Sequence, residues 1–272
     1  MYGREEGIVV IIIDSHVHIG CFGKYDMKPE YVIESMRRYG ISYSLLSPIT
    51  GVEFGQDHTP LPDDWPYNQI VANMEAIEFA RENDGMIGVL PWCRIAAEGF
   101  NDDFVSIVDR GGQYIKGLKF HPYHSMLPIT APQVEPYLAF ARERKLPVLV
   151  HSSNDEYSQT RFVYETAKAH PENVFIMAHM GLITDNNEAI ELIGSLPNLY
   201  GDTAWVKPES GLKLIQKYGA HKLLFGTDNP IDGVDTYAHP FYKTYFGEFR
   251  QWVSRDDYEL LMHGNAERLF DL

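Results

Sequence analysis

The chain has 272 residues, 44 % of them apolar and 22 % charged, with 23 Lys and Arg against 38 Asp and Glu for a formal charge of −15. That length suits one large unit such as an α/β barrel of about 250 residues, and it can bury a core without disulfide or metal staples. The acidic balance argues against a nucleic-acid binder, which would carry a basic footprint.

The longest apolar run, Ile8 to Ile13, is far shorter than the about 20 residues of a membrane span. Arg4, Glu5 and Glu6 precede it, and it leads straight into Asp14-Ser15-His16-Val17-His18 with no cleavage-site pattern. A cytoplasmic protein without membrane contact is therefore expected. Cys21 and Cys93 make no disulfide framework and are expected to be reduced thiols. No low-complexity tract or Pro/Gly/Ser linker divides the chain, so a single domain over residues 1–272 is expected.

Short β-branched runs alternate with stretches of helical spacing, the order of βα units around a parallel sheet. Strands are expected at 8–14, 41–47, 86–92, 115–120, 146–151, 173–178, 198–203 and 221–226. Helices are expected at 29–39, 66–84, 101–110, 132–144, 158–170, 186–194, 208–218 and 238–247. Pro29 and Pro132 stand where a first-turn proline is tolerated. The stretch 255–272 reads as a final helix plus a short one opened by Asn265 as N-cap. Eight strands alternating with eight helices is the count of a (β/α)8 TIM barrel. The competing doubly wound sheet would carry Gly-x-Gly-x-x-Gly after its first strand, where this chain has His-x-His.

The chemistry-bearing residues sit at strand ends. Alternation along the first strand places Asp14, His16 and His18 on one face and Ser15 and Val17 on the other. The fifth strand ends in His151, the sixth in His179 and the eighth in Asp228. In a parallel barrel all these ends meet at the C-terminal rim, where active sites of the fold are built. A lone strand-end histidine is usually a packed or hydrogen-bonded residue. Four strand ends that each supply a ligand type are hard to assign to packing. Imidazoles and a carboxylate suit zinc or another divalent transition metal and leave a position open for water, whose pKa such an ion lowers to about 7.

The motifs Asp14-x-His16-x-His18, His151, Ala178-His179-Met180-Gly181 and Phe225-Gly226-Thr227-Asp228-x-Pro230 resemble the amidohydrolase superfamily. The closer resemblance is to the branch that includes aminocarboxymuconate-semialdehyde decarboxylase and several lactonases; Gly117-Leu-Lys-Phe-His-Pro122 and Gly264-Asn-Ala-Glu-Arg-Leu-Phe270 also fit it. The resemblance runs from residue 14 to 270. It implies one divalent ion per chain, zinc first and manganese second, held by His16, His18, His151 and Asp228. His179 would hydrogen-bond a metal-bound water or polarise a carbonyl, or complete the ligand set itself. Asp228 would also carry the proton, and Asp14 would orient a ligand imidazole. A homodimer is the oligomer common in this branch.

Lys119 shares a face of the fourth strand with His121, opposite Leu118 and Phe120. Its readings are an ammonium that binds a substrate carboxylate, a carbamate bridging two metals as in parts of the superfamily, and a structural ion pair; the one-metal habit of the branch favours the first. Lys119, His121, Arg161 and Trp205 are the expected substrate contacts, with His124, His239, Tyr123 and Tyr157 as weaker candidates in the loops. His170, His221 and His263 fall at the opposite rim and read as structural, and the stretch 50–65 is long enough to cover the site.

The function expected is hydrolysis of a lactone, ester or amide of a small organic substrate by a metal-bound hydroxide. The alternative is non-oxidative decarboxylation of an unsaturated or aromatic carboxylic acid on the same residues. A barrel that only binds a ligand would lack a ligand or a proton carrier. A nuclease on this fold would need a basic face and an acidic residue where Lys119 stands.

Overall fold

The computed structural model describes residues 11–272. Its core is eight parallel strands: β1 (Ile13–Phe22), β3 (Tyr43–Pro48), β4 (Ile87–Val89), β5 (Leu118–Phe120), β6 (Val148–Ser153), β7 (Phe175–Leu182), β8 (Leu199–Asp202) and β9 (Leu223–Leu224). The short β2 (Tyr25–Met27) folds back antiparallel on the end of β1. Ladders run β1-β3-β4 and β5-β6-β7-β8-β9. Single contacts join the two: Lys116 N–H donates to Val89 O and Cys93 N–H to Lys119 O on one side, and Ser15 N–H to Phe225 O and His18 N–H to Asn229 O on the other. The sheet thus closes as a (β/α)8 TIM barrel.

Helices follow the strands much as the periodicity implies. Helix α1 (Pro29–Tyr39) opens on Pro29, and Gly40 ends it at φ 75°. The others are α2 (Gln69–Glu82), α3 (Asp102–Gly111), the short α4 (Pro122–Ser125), α5 (Glu135–Arg144), α6 (Thr160–Ala169), α7 (Asn187–Ser195), α8 (Pro208–Tyr218) and α9 (Pro240–Phe246). Helix α2 starts three residues later than expected because Asn68 caps it, its side chain accepting from Val71 N–H.

Several strands are shorter than the sequence reading has them, β4, β5 and β9 among them, and two further differences concern the chain's first strand and last helices. The first strand begins at Ile13 rather than at residue 8; residues 8–10 lie outside those described, and Ile11 and Ile12 are not paired as strand. Asn265 does not cap a new helix, because α10 (Arg255–Glu259) continues through a π turn at Leu260–Gly264 into α11 (Asn265–Phe270). The buried Asn265 amide donates instead to the carbonyls of Ala220 and Leu223, tying the last helix to the start of β9.

Inside the barrel lies a layer of Ile13, Leu45, Leu90, Leu149, Ile176 and Leu224, with Phe270 and Ala266 of α11 closing the N-terminal end. Gly117 must be small here: a Cβ would sit 2.7 Å from Pro147 O and 3.3 Å from the Phe270 ring. Above this apolar floor the interior turns polar, and the chemistry sits there. Among the described residues no helix is long and apolar enough to cross a membrane, and both cysteines are free.

Burial sets an acid limit on the fold. His124 donates from Nδ1 to Phe54 O at 3.0 Å, packs edge-on against Phe22, and is pushed down to a pKa of about 4 by desolvation. The unfolded chain, titrating near the ordinary 6.5, takes up this proton first. Stability contributed by neutral His124 is therefore complete above pH 6.5 and is lost as pH falls towards 4, by roughly 3 kcal/mol at most. Urea unfolding between pH 7 and 4 should show this slope, and His124→Gln should lessen it by that share; an equal slope in that variant would assign the acid limb to the other buried imidazoles.

Candidate metal centre

His16 and His18 reach the centre through an irregularity, not through plain alternation. The β1–β3 register shifts between Asp14 and Val17. Ile13 faces the barrel interior while Val17 packs outside, although both are odd-numbered. Asp14, expected beside the imidazoles, consequently faces away from them. Its carboxylate accepts from Tyr237 Oη (2.8 Å) and Thr227 N–H (3.1 Å), and also from the Thr227 hydroxyl. Burial pushes its pKa up to about 7 against these hydrogen bonds. It braces the segment just before Asp228 and takes the backbone N–H of His16 (3.0 Å), but meets no imidazole nitrogen.

The residue that does so is Asp202, the last of β8. Its Oδ2 accepts from His16 Nδ1 at 2.8 Å, and its Oδ1 accepts from the N–H groups of His179 (2.8 Å) and Ala204 (3.1 Å). Burial raises its pKa to about 6. The sequence reading does not single out Asp202, which lies near the end of the expected strand 198–203 as His151 and His179 lie near the ends of theirs.

His179 is brought in by strain. Ile176 and Ala178 face the interior, so strict alternation would turn His179 outward. His179, Met180 and Gly181 instead adopt φ of 64°, 47° and 83°, and this left-handed turn swings the imidazole over the barrel mouth. Its Nδ1 donates to Ala204 O at 3.0 Å, and the Asn186 amide donates to the carbonyls of His179 and Met180.

Three imidazoles therefore have one tautomer. Nδ1–H of His16 is given to a carboxylate, that of His18 to Ser47 O (3.0 Å) and that of His179 to Ala204 O. Each keeps Nε2 as an acceptor, and that of His16 takes the Lys119 ammonium at 2.8 Å. The two Nε2 atoms of His16 and His18 lie 3.2 Å apart, and Asp228 Oδ1 stands 3.5 and 3.1 Å from them. Among the described residues, His16, His179 and Asp228 offer ligand atoms all within 4.8 Å of one another. Converging lone pairs and a carboxylate, each imidazole held from behind by an oxygen, are the polarity a divalent cation needs. These residues fit such an ion.

Electrostatics agree. Burial drives His16 well below the usual 6.5 and His179 down to about 4, so both are neutral at pH 7. Burial acts to raise Asp228, but its place beside His18, His16 and His179 outweighs this and holds it well below 3.8. Asp228 stays ionised.

His151 comes to the same rim from β6, with its ring 4.9 Å from that of His179. It stacks on His121 at 3.9 Å and 12°, and His121 stacks in turn on Trp92 at 5.2 Å, so the three rings form one wall. Gly51 backs that wall, since a Cβ there would lie 2.6 Å from the Trp92 ring. The stretch 50–65 crosses the rim: the Glu53 carboxylate takes the N–H groups of Ala96 and Ala97, and His58 packs on Tyr123 and Tyr157.

Lys119 is fully buried and points inward, with Leu118 and Phe120 outside as alternation requires. Its Nζ donates to His16 Nε2 at 2.8 Å. Burial pulls its pKa down to about 8, opposed by the carboxylates of Asp228 and Asp202. Trp205 is half-buried, and its indole N–H donates to Asp228 Oδ2 at 3.1 Å. Arg161 is not brought to this group; it is exposed on the first turn of α6, its guanidinium over the ring of Phe162. His170 and His263 pair with Glu135 and Glu267 away from the centre.

A parallel barrel that gathers imidazoles, a carboxylate and a buried lysine at its C-terminal rim defines an enzyme-type centre on a TIM barrel. The chain matches the amidohydrolase family over residues 13–272 and belongs to it. Solved structures share the fold at low identity. A probable 2-pyrone-4,6-dicarboxylic acid hydrolase from Acinetobacter baumannii is 14 % identical, with 96 % of this chain and 99 % of that one covered and a TM-score of 0.67. A 2,6-dihydroxybenzoate decarboxylase in complex with 2,6-dihydroxybenzoate is 15 % identical over 96 % and 99 %, with a TM-score of 0.69. A 4-oxalomesaconate hydratase from Rhodopseudomonas palustris is 15 % identical over 96 % of each chain, at 0.67. No curated protein matches the chain.

Proposed function

We propose that this protein is a metal-dependent hydrolase that cleaves a lactone, ester or amide carbonyl of a small organic substrate. The observation that carries the reading is the gathering of ligand atoms of His16, His179 and Asp228 within 4.8 Å of one another, with His18 Nε2 3.1 Å from Asp228 Oδ1. His16, His18 and Asp228 would hold the ion, with a further ligand from β7 or β6, His179 or His151. When bound, a zinc-like ion supplies Lewis acidity and lowers the pKa of water.

The chain's own groups supply the rest. Asp228 is ionised and accepts a proton as water attacks, then returns it to the leaving group. His179, with Nδ1–H committed to Ala204, accepts a hydrogen bond at Nε2 rather than donating one. That favours the role of binding water or ion over that of polarising a carbonyl. Lys119 offers the one buried ammonium in this group and would hold a substrate carboxylate as a point charge. His121, on the stacked wall, faces the same space.

Lys119 also favours the second reading, non-oxidative decarboxylation of an unsaturated or aromatic acid, because such a substrate always carries the anion that an ammonium recognises. Release of carbon dioxide from an acid panel, set against ring opening or cleavage of a lactone and ester panel, separates the two.

The first experiment is elemental analysis of the purified protein, with zinc and manganese restored after chelation. About one ion per chain, with activity returning on reconstitution, is the expected result. Two ions would revive the carbamate reading of Lys119. No ion, with none regained, would end the metal-dependent reading. The same measurement on His151→Ala and His179→Ala identifies the further ligand, since its removal loses the ion.

A further inference from the structure

We infer that Trp205 is a positioning residue for Asp228: it engages one carboxylate oxygen so that only the other can meet a cation. The inference rests on the metal-centre reading above and adds to it the manner in which Asp228 binds.

Trp205 lies three residues beyond β8 with φ 57°, a left-handed conformation that bulky side chains rarely adopt. Asp228, on the loop beyond β9, is also left-handed at φ 65°. The two strained residues are joined twice. The Trp205 indole N–H donates to Asp228 Oδ2 at 3.1 Å. The Trp205 backbone N–H donates to Tyr242 Oη at 3.0 Å, and the Tyr242 hydroxyl donates to Thr227 O at 2.7 Å, the carbonyl immediately before Asp228. Tyr242 is fully buried. Indole, tyrosine and the 227–228 backbone thus close a ring of hydrogen bonds around the carboxylate. His239 packs edge-on against the indole, with ring centroids 5.0 Å apart, and backs it from outside.

The consequence is chemical. A carboxylate with both oxygens free can turn, or chelate an ion with both. Here Oδ2 is held by the indole while Oδ1 faces His16 and His18 at 3.5 and 3.1 Å. Asp228 is therefore presented as a one-oxygen ligand. Trp205 acts on the centre through Asp228.

Trp205→Phe keeps an aromatic ring and removes only the donor. Zinc affinity, read by competition with a chelator, should fall about 10- to 100-fold, the range found when groups that orient metal ligands are removed. Tyr242→Phe, which opens the other link, should shift zinc affinity the same way by less. A zinc affinity in Trp205→Phe equal to wild type would overturn the inference. A second measurement needs no ion: the Trp205 indole N–H resonance, identified by its loss in Trp205→Phe, should be displaced in Asp228→Ala. An unmoved resonance would overturn the inference whatever the zinc result. If the wild-type protein takes up no zinc, the metal reading fails by itself, and the indole resonance still decides whether Trp205 holds Asp228.

Discussion

Asp228→Asn should lower turnover by at least about 10²- to 10⁴-fold, the range associated with loss of a general acid–base group, while the protein remains folded. The substitution is nearly isosteric, and the amide has a satisfying place to go. Its oxygen can take the Trp205 N–H that Oδ2 now accepts, and its NH2 group can donate to the Nε2 lone pairs of His16 and His18. The same arrangement that preserves the fold opposes a cation, because donors now face the space where an anionic oxygen stood. Ion content should fall along with activity, and thermal unfolding of the ion-free protein should change little. Near-full turnover in Asp228→Asn would exclude the proton role.

Asp202→Asn should disable the centre from behind. Oδ1 of Asp202 serves two backbone N–H groups, those of His179 and Ala204, so the oxygen of an asparagine will stay with them. Its NH2 then points at His16 Nδ1, which must accept instead of donate. The His16 proton moves to Nε2, and the lone pair that would bind an ion disappears. Zinc affinity should drop about 10- to 100-fold, as for other groups that orient ligand histidines, with activity falling alongside. Nitrogen-15 spectra should show the exchanged His16 tautomer. An unchanged tautomer would refute this account even if activity fell. Asp202→Ala should be worse for the fold, since it leaves the buried N–H groups of His16, His179 and Ala204 without their acceptor, at about 1–3 kcal/mol for each unsatisfied group.

Much of this centre is legible in the residues alone because parallel barrel strands all end on one rim. Once βα alternation is read, His16, His18, His151, His179 and Asp228 must share a neighbourhood, and the interior face of Lys119 follows from Leu118 and Phe120 taking the other side. The same rule should have yielded Asp202. Arg161 shows where the rule weakens: it lies eight residues past the end of β6, on a helix whose rotation no strand dictates, and it turns to solvent.

The amino-acid sequence by itself determined the barrel, the rim and the kinds of ligand, because these depend on period, on order and on which residue ends each run. Tertiary structure decided which atoms meet. A register shift between Asp14 and Val17 sent Asp14 to Thr227 and Tyr237 and brought His16 onto Asp202. Left-handed backbone at His179, Trp205 and Asp228 turned three side chains to the centre against local preference. Such irregularities leave no period in the sequence. They persist because the surrounding packing and buried hydrogen bonds over-determine them.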